Sequence, residues 1–155
     1  MRLVILVGLP ASGKSTWAQS KGLPILSSDA VRELLTGDAT HQGVNRLVFR
    51  TLRQLAAARQ QAGMPVTCID STALTVWERR CWLRFAQLHN CRAEVVYFDL
   101  PLAECKRRNA ARQRVVPDHV MDWMSARLQP PAASEGFDRI TVVRPEAPLP
   151  SSSSA

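Results

Sequence analysis

The chain has 155 residues, 46% of them hydrophobic and 21% charged, with a formal net charge of +7. That is the length and composition of a soluble globular domain with a real core. It carries no apolar run near the ~20 residues of a membrane span, so a membrane partner is not expected. Met1-Arg2-Leu3 resembles the start of an export signal, but the apolar run ends after a few residues and leads into a loop, so the expected location is the cytoplasm. Cys68, Cys81, Cys91 and Cys105 form no C-x-x-C pair and no zinc spacing, and read as free thiols suited to a reducing compartment. The positive balance favours a polyanionic partner such as nucleic acid; a generally basic background is the alternative.

Strand and helix patterns alternate along the chain, which predicts a central, mainly parallel five-stranded sheet flanked by helices. The first strand, residues 2–7, contains the aliphatic run Leu3-Val4-Ile5-Leu6-Val7, the signature of a strand buried on both faces. Gly8-Leu9-Pro10-Ala11-Ser12-Gly13-Lys14-Ser15 follows, matching the phosphate-loop pattern G-x-x-x-x-G-K-[ST], and opens a helix over about residues 14–21. A short strand is expected at 24–27, a helix at 29–35, a loop at 36–40 and a long helix at 42–61 that stops at Gly63-Met64-Pro65. The third strand covers 66–69 and ends at Asp70. A helix over 75–88 starts with Thr75 and Glu78 at capping-box spacing. The fourth strand is 93–98. A helix opens after Pro101 and runs into an arginine-rich segment ending at Arg114. Another helix lies near 118–128 and the last strand at 139–143. Residues 1–143 therefore read as one domain, and 144–155 as a flexible Pro- and Ser-rich tail.

The loop after the first strand is the strongest chemical signal. Gly8 and Gly13 allow backbone geometry and close approach that a Cβ would hinder, so that N–H groups converge on phosphate oxygens. Gly8, Ala11, Ser12, Gly13, Lys14, Ser15 and Thr16 are the candidate positions for binding ATP or another nucleoside triphosphate. Lys14 reaches the β- and γ-phosphates, and the Ser15 hydroxyl ligates Mg²⁺. Asp29 follows the second strand, at the sheet edge where ligands bind. It is either a base for an attacking hydroxyl or a helix cap. Arg32, on the same helix face, is either a clamp for an acceptor phosphate or a solvated side chain. Asp70 has a Walker-B type position, with a turn aspartate as the alternative. Asp99 reads as a turn residue.

Arg108 and Arg112, four apart and expected on one helix face, suit a lid that neutralises charge on a transferring phosphoryl group; a solvated basic face is the alternative. Arg46, Arg50 and Arg53 form a stripe that either tracks a polynucleotide backbone or is a solvated face, with solvation favoured. Arg79, Arg80 and Arg84 pose the same choice. Trp77, Trp82 and Phe85 are expected in the core rather than stacking bases. The three histidines are dispersed and suggest no metal site.

Gly8–Thr16, Ser28-Asp29-x-x-Arg32, Asp70 after the third strand, Arg108-Asn109-x-x-Arg112 ahead of Val116-Pro117, and Glu135-Gly136-Phe137-Asp138 together resemble the kinase module of polynucleotide 5′-kinases. These lie within a wider group of P-loop kinases that includes zeta-toxin-like proteins. The resemblance spans about residues 1–143. It implies a P-loop kinase fold with an arginine-bearing lid, and transfer of the γ-phosphate of ATP to the 5′-hydroxyl of DNA or RNA. It implies Asp29 as general base and Arg32 as the clamp on the acceptor's 3′-phosphate. Lys14, Ser15, Arg108 and Arg112 would serve the donor phosphates and Mg²⁺, and Asp70 would act near Arg32 or the metal. Relatives often carry an asparagine shortly after the Asp70 position, where this chain has Ser71-Thr72-Ala73. They also often join the module to a phosphatase or ligase domain, so end-healing partners are expected in trans. The same residues leave open a kinase of another hydroxyl acceptor, such as a sugar, a nucleotide sugar or a tRNA-linked group, and a non-catalytic nucleotide-binding module.

Overall fold

A computed structural model of the chain describes residues 1–144; all of the tail expected over 144–155 except Arg144 lies outside the described residues. Five strands, β1 (Arg2–Val7), β2 (Ile25–Ser27), β3 (Val66–Asp70), β4 (Arg92–Phe98) and β5 (Arg139–Val143), form one sheet in the order β2-β3-β1-β4-β5. Every pairing is parallel. The central position of β1 suits its composition, since Leu3–Val7 is apolar throughout and buried on both faces.

The helices are α1 (Lys14–Ser20), α2 (Ser28–Thr36), α3 (Asn45–Gln61), α4 (Val76–Leu88), α5 (Leu102–Ala110) and α6 (Asp118–Arg127). Alternate residues of β1 face opposite layers. Leu3, Ile5 and Val7 pack with Val31, Val48, Leu52, Trp82 and Phe85, which places α2, α3 and α4 on one face. Val4 and Leu6 pack with Ala18 and Trp17 of α1 on the other. The chain therefore leaves β1 and the adjacent β3 toward opposite faces, which opens a crevice at their carboxyl ends. Leu9, Leu74, Cys105 and Met121 form a smaller cluster that seats α5 and α6. Among the described residues, no helix is long and apolar enough to cross a membrane. All four cysteines are free, Cys68 and Cys105 buried.

Several expectations change. The long helix begins at Asn45, because Gln42–Val44 is a 3-10 turn rather than its first turn. Arg79 is no surface cation. Its side chain is 0% exposed, and its guanidinium donates to Glu135 Oε2 at 2.8 Å and Oε1 at 2.7 Å. It also donates to the carbonyls of Ala73 and Leu74 at 3.0 and 3.1 Å, bracing the turn that follows β3. Arg80 and Arg84 are exposed, as a solvated face requires. Trp77 is 72% exposed, while Trp82 and Phe85 are buried. The five-residue step from 77 to 82 rotates about 140° around the helix, so Trp77 cannot share the core face. Thr75 and Glu78 form the expected capping box. Asp99 is tied to Tyr97 and Arg144, a structural role as expected.

Removing one partner of a buried ion pair strands the other. Arg79→Ala is therefore expected to lower stability by about 3–5 kcal/mol. Urea unfolding followed by circular dichroism measures this, and a loss under about 1 kcal/mol would show the pair to be dispensable.

Candidate functional site

The crevice is built on the turn after β1. An ideal Cβ on Gly8 would lie 2.9 Å from Ser12 Oγ, 3.0 Å from Phe98 Cβ and 3.2 Å from the Phe98 carbonyl, so this position admits only glycine without movement of β4. Gly13 caps α1 at φ 93°, in the left-handed region. Ala11 also takes a left-handed φ of 61°, a strained value for a residue with a Cβ. The loop thus wraps around Lys14, whose Nζ donates to the carbonyls of Gly8 at 2.9 Å and Leu9 at 2.7 Å and to Ser12 Oγ at 3.4 Å. Burial lowers the Lys14 ammonium to about 8; the Asp70 charge acts against this and that of Arg112 adds to it.

Asp70, at the end of β3, accepts from Ser15 Oγ at 2.6 Å across the crevice. It does not pair with Arg32, so of the two expected neighbourhoods it occupies the one beside Ser15. Adjacent hydroxyl and carboxylate oxygens are hard donors that suit Mg²⁺, which commonly takes only one or two protein oxygens and completes its shell with phosphates and water. The described residues hold no cluster of three or more acidic, His or Cys side chains that could form an all-protein metal cage.

Ser27 is paired with Asp70 in the sheet, so the start of α2 stands beside the same crevice. Ser27 caps α2 by accepting from Ala30 N at 3.4 Å, which frees Asp29 from the cap role that was its alternative. Asp29 is half-exposed and Arg32 buried, and Arg32 Nη1 donates to Asp29 Oδ1 at 2.7 Å. Arg32 also donates to the Ala39 carbonyl at 3.3 Å and to Asn45 Oδ1 at 2.8 Å. Its Nε is buried without a partner. Arg32 is thus no solvated helix residue.

The arginine-rich segment splits in two. α5 ends at Ala110, so Arg112 lies past the helix and does not share a face with Arg108. The cause is Asn109, whose side-chain amide bonds both the carbonyl of Val116 at 2.7 Å and its N–H at 3.0 Å, folding 110–116 into a closed loop. Arg108 pairs with Glu104 at 2.6 Å. With Arg107 it holds the Glu104 carboxyl down to about 2. A Cβ on Gly13 would lie 3.9 Å from Arg108 Nη1, so this guanidinium overhangs the phosphate loop. Arg114, which the sequence did not single out, reaches back to Asp29 Oδ2 at 3.2 Å. Beside the loop lies a cavity of about 360 Å³, lined by Gly13, Thr16, Trp17, Phe98, Leu100 and Arg108 among others.

A glycine-tied turn between a buried parallel strand and a helix that opens with Lys14 and Ser15 marks a nucleotide-binding protein with the fold of P-loop kinases. The chain belongs to the AAA domain family, whose model matches residues 3–131. It is 25% identical over 148 residues to a bifunctional polynucleotide phosphatase/kinase of Schizosaccharomyces pombe, covering 91% of this chain and 33% of that protein. The chain thus spans about a third of that relative's length. Among solved structures it resembles a chain of the Pnkp1/Rnl/Hen1 RNA repair complex, with a TM-score of 0.68 and 20% identity over 83% of this chain and 44% of that one. A gluconokinase of Sinorhizobium meliloti gives a TM-score of 0.64 at 18% identity, covering 96% and 85% of the two chains. The APS kinase of Mycobacterium tuberculosis, solved with AMPPNP and APS, gives 0.62 at 20% identity over 94% and 89%.

The lowered Lys14 value gives nucleotide binding a pH signature. Phosphate anions at Nζ raise its pKa in the complex, so between about 8 and that higher value binding takes up a proton. Nucleotide affinity should fall by up to about tenfold per pH unit in that window. Calorimetry in two buffers of different ionisation heat should show the uptake, and Lys14→Met should abolish it. Proton release on binding would contradict the assignment.

Proposed function

We propose that this protein transfers the γ-phosphoryl group of ATP, or of another nucleoside triphosphate, to the 5′-hydroxyl end of a polynucleotide. The observation that carries this reading is the Asp29–Arg32 pair at the crevice edge, which joins a half-exposed carboxylate to a buried guanidinium with an unpartnered Nε. The similarity to a polynucleotide phosphatase/kinase supports the choice of acceptor.

The donor triphosphate lies along the backbone of Gly8–Thr16, with its base toward the cavity beside Trp17. Lys14 exchanges the loop carbonyls for phosphate oxygens. Ser15 and Asp70 would hold Mg²⁺, which would supply neutralisation of the phosphate charge. Asp29 accepts the proton of the 5′-hydroxyl, whose oxygen bonds to the γ-phosphorus as the bridge to the β-phosphate breaks. The nucleoside diphosphate leaves with that electron pair. Arg32 holds the acceptor's 3′-phosphate and orients the Asp29 carboxylate through their 2.7 Å contact. Arg108 and Arg112 approach the γ-phosphoryl group from the lid side, where their charge offsets what spreads onto its oxygens. The free thiols fit work in a reducing cytoplasm.

A second reading is a kinase for a smaller hydroxyl acceptor. It is favoured by similarity to the gluconokinase and the APS kinase over most of their own lengths. Labelled ATP offered with a 5′-hydroxyl oligonucleotide, gluconate and adenosine phosphosulfate separates the two. Label on the oligonucleotide is the expected result, and label on a small acceptor alone would replace the proposal with the second reading. Asp29→Asn should cut transfer at least about a hundredfold while nucleotide affinity stays within about threefold. Arg32→Gln should mainly raise the oligonucleotide KM. Equal loss of nucleotide binding and transfer in Asp29→Asn would make Asp29 a structural residue.

A further inference from the structure

A second basic feature lies outside the donor crevice. Gly43, Val44, Arg46, Leu47, Arg50 and Arg53 line a shallow groove of about 560 Å³ along the outer face of α3. No acidic side chain lines it. Val48, Leu52 and Ala56, each 0% exposed, anchor the opposite face of the same helix, so the arginine face is fixed outward. Arg46, Arg50 and Arg53 stand at i, i+4 and i+7, which aligns them over roughly 10 Å of helix. Among the described residues none of the three makes a hydrogen bond or an ion pair, whereas Arg59 on the same helix donates to the carbonyls of Pro24 and Ile25 at 3.0 and 3.3 Å.

This pattern works against the helix that carries it. Like charges at i and i+4 repel. Arg46 sits in the first turn, where the helix dipole disfavours a cation, and no acidic residue is present there to offset it. α3 contains four arginines and no Asp or Glu. An ordinary solvated helix face relieves such repulsion with interspersed carboxylates; a face that binds a polyanion is relieved by its ligand. The groove also begins beside the proposed acceptor site, since Asn45, which accepts from Arg32 at 2.8 Å, directly precedes Arg46.

We propose that this groove binds the phosphodiester backbone of the acceptor polynucleotide on the 3′ side of its terminal nucleotide. Arg46, Arg50 and Arg53 contact successive phosphates without reading bases, while Val44 and Leu47 lie against the sugars. The proposal rests on the polynucleotide reading for its choice of ligand, but its test does not require catalysis.

The test is fluorescence anisotropy of labelled oligothymidylate and oligouridylate, each with a 5′-hydroxyl, over a range of potassium chloride concentrations. Each phosphate contact adds about 0.7 to the slope of log K against log salt for a single strand. The triple variant R46Q/R50Q/R53Q should therefore lower that slope by about 2, and R46K/R50K/R53K, which keeps the charges, should restore it. Nucleotide binding reports that each variant is folded. Should the triple variant fail to fold, R50Q alone, at an exposed position, should lower the slope by about 0.7. Equal slopes for wild type and the glutamine variants overturn the proposal. So does displacement by polyglutamate as effective as by unlabelled oligonucleotide, which would assign the groove to an acidic protein. Label transfer to the oligonucleotide with unchanged slopes removes the groove and leaves the kinase reading standing. A groove-dependent slope without label transfer supports the groove and removes that reading.

Discussion

The site depends on how closely the turn after β1 approaches the end of β4. With 3.0 Å between a hypothetical Gly8 Cβ and Phe98 Cβ, the loop is pressed onto the neighbouring strand, and the backbone beyond it has no slack. That contact requires the parallel pairing of β1 and β4, whose register runs from Arg2 with Arg92 to Val7 with Tyr97. The core thus does more than stabilise. Leu3 to Val7 are all buried, and their alternation onto two helical layers aims the chain at the crevice rather than past it. Lys14 then occupies the hollow of the loop with three oxygen acceptors, so its charge is retained in the absence of phosphate at the cost of a lowered pKa. A phosphate entering this hollow meets groups already dehydrated, which is how preorganised electrostatics act.

The α2 edge of the crevice is organised by a different constraint, the burial of a guanidinium. A buried charge needs a partner and further hydrogen bonds to be tolerated. Arg32 satisfies this with Asp29, the Ala39 carbonyl and Asn45, three groups from three segments. That one side chain therefore fixes α2, the loop after it and the start of α3 relative to one another. Arg114 adds a link from the lid loop to the other oxygen of Asp29. Guanidiniums from two elements therefore hold the Asp29 carboxylate, one at each oxygen. The loop over residues 110–116 and α2 thus meet on a single carboxylate.

What was legible in the sequence was local. The phosphate loop could be read because an aliphatic run, two glycines and a Lys-Ser pair fall within a short stretch and each has a distinct physical reason. The Asp29–Arg32 pair could be read because a helix brings i and i+3 together. Thr75 and Glu78 are the same kind of signal. What could not be read were pairs joined only by tertiary structure: Arg114 with Asp29 across 85 positions, and Arg79 with Glu135 across 56. Helical periodicity also failed where a side chain ended the helix. Asn109 turns the chain after Ala110, so Arg112 departs from the face that its spacing with Arg108 implied. Trp77 failed for a related reason, because hydrophobicity marks a residue for burial but helix phase decides whether burial is available.

The same distinction gives meaning to the charge of the molecule. A net charge of +7 says only that anions are attracted. The structure divides the arginines by what already neutralises them. Arg79 is used up inside the core, Arg107 and Arg108 share Glu104, Arg32 and Arg114 share Asp29, and Arg59 holds the sheet. The face of α3 carries three aligned guanidiniums that repel one another and, like the exposed pair Arg80 and Arg84 of α4, find no partner within the described residues. Cations that brace a fold are paired by the fold. Cations left unpaired in register beside the nucleotide crevice raise the potential there, and an extended anion lying across them would relieve their repulsion. The proposed polynucleotide acceptor, held by its end at Arg32, would carry such an anion along its own chain.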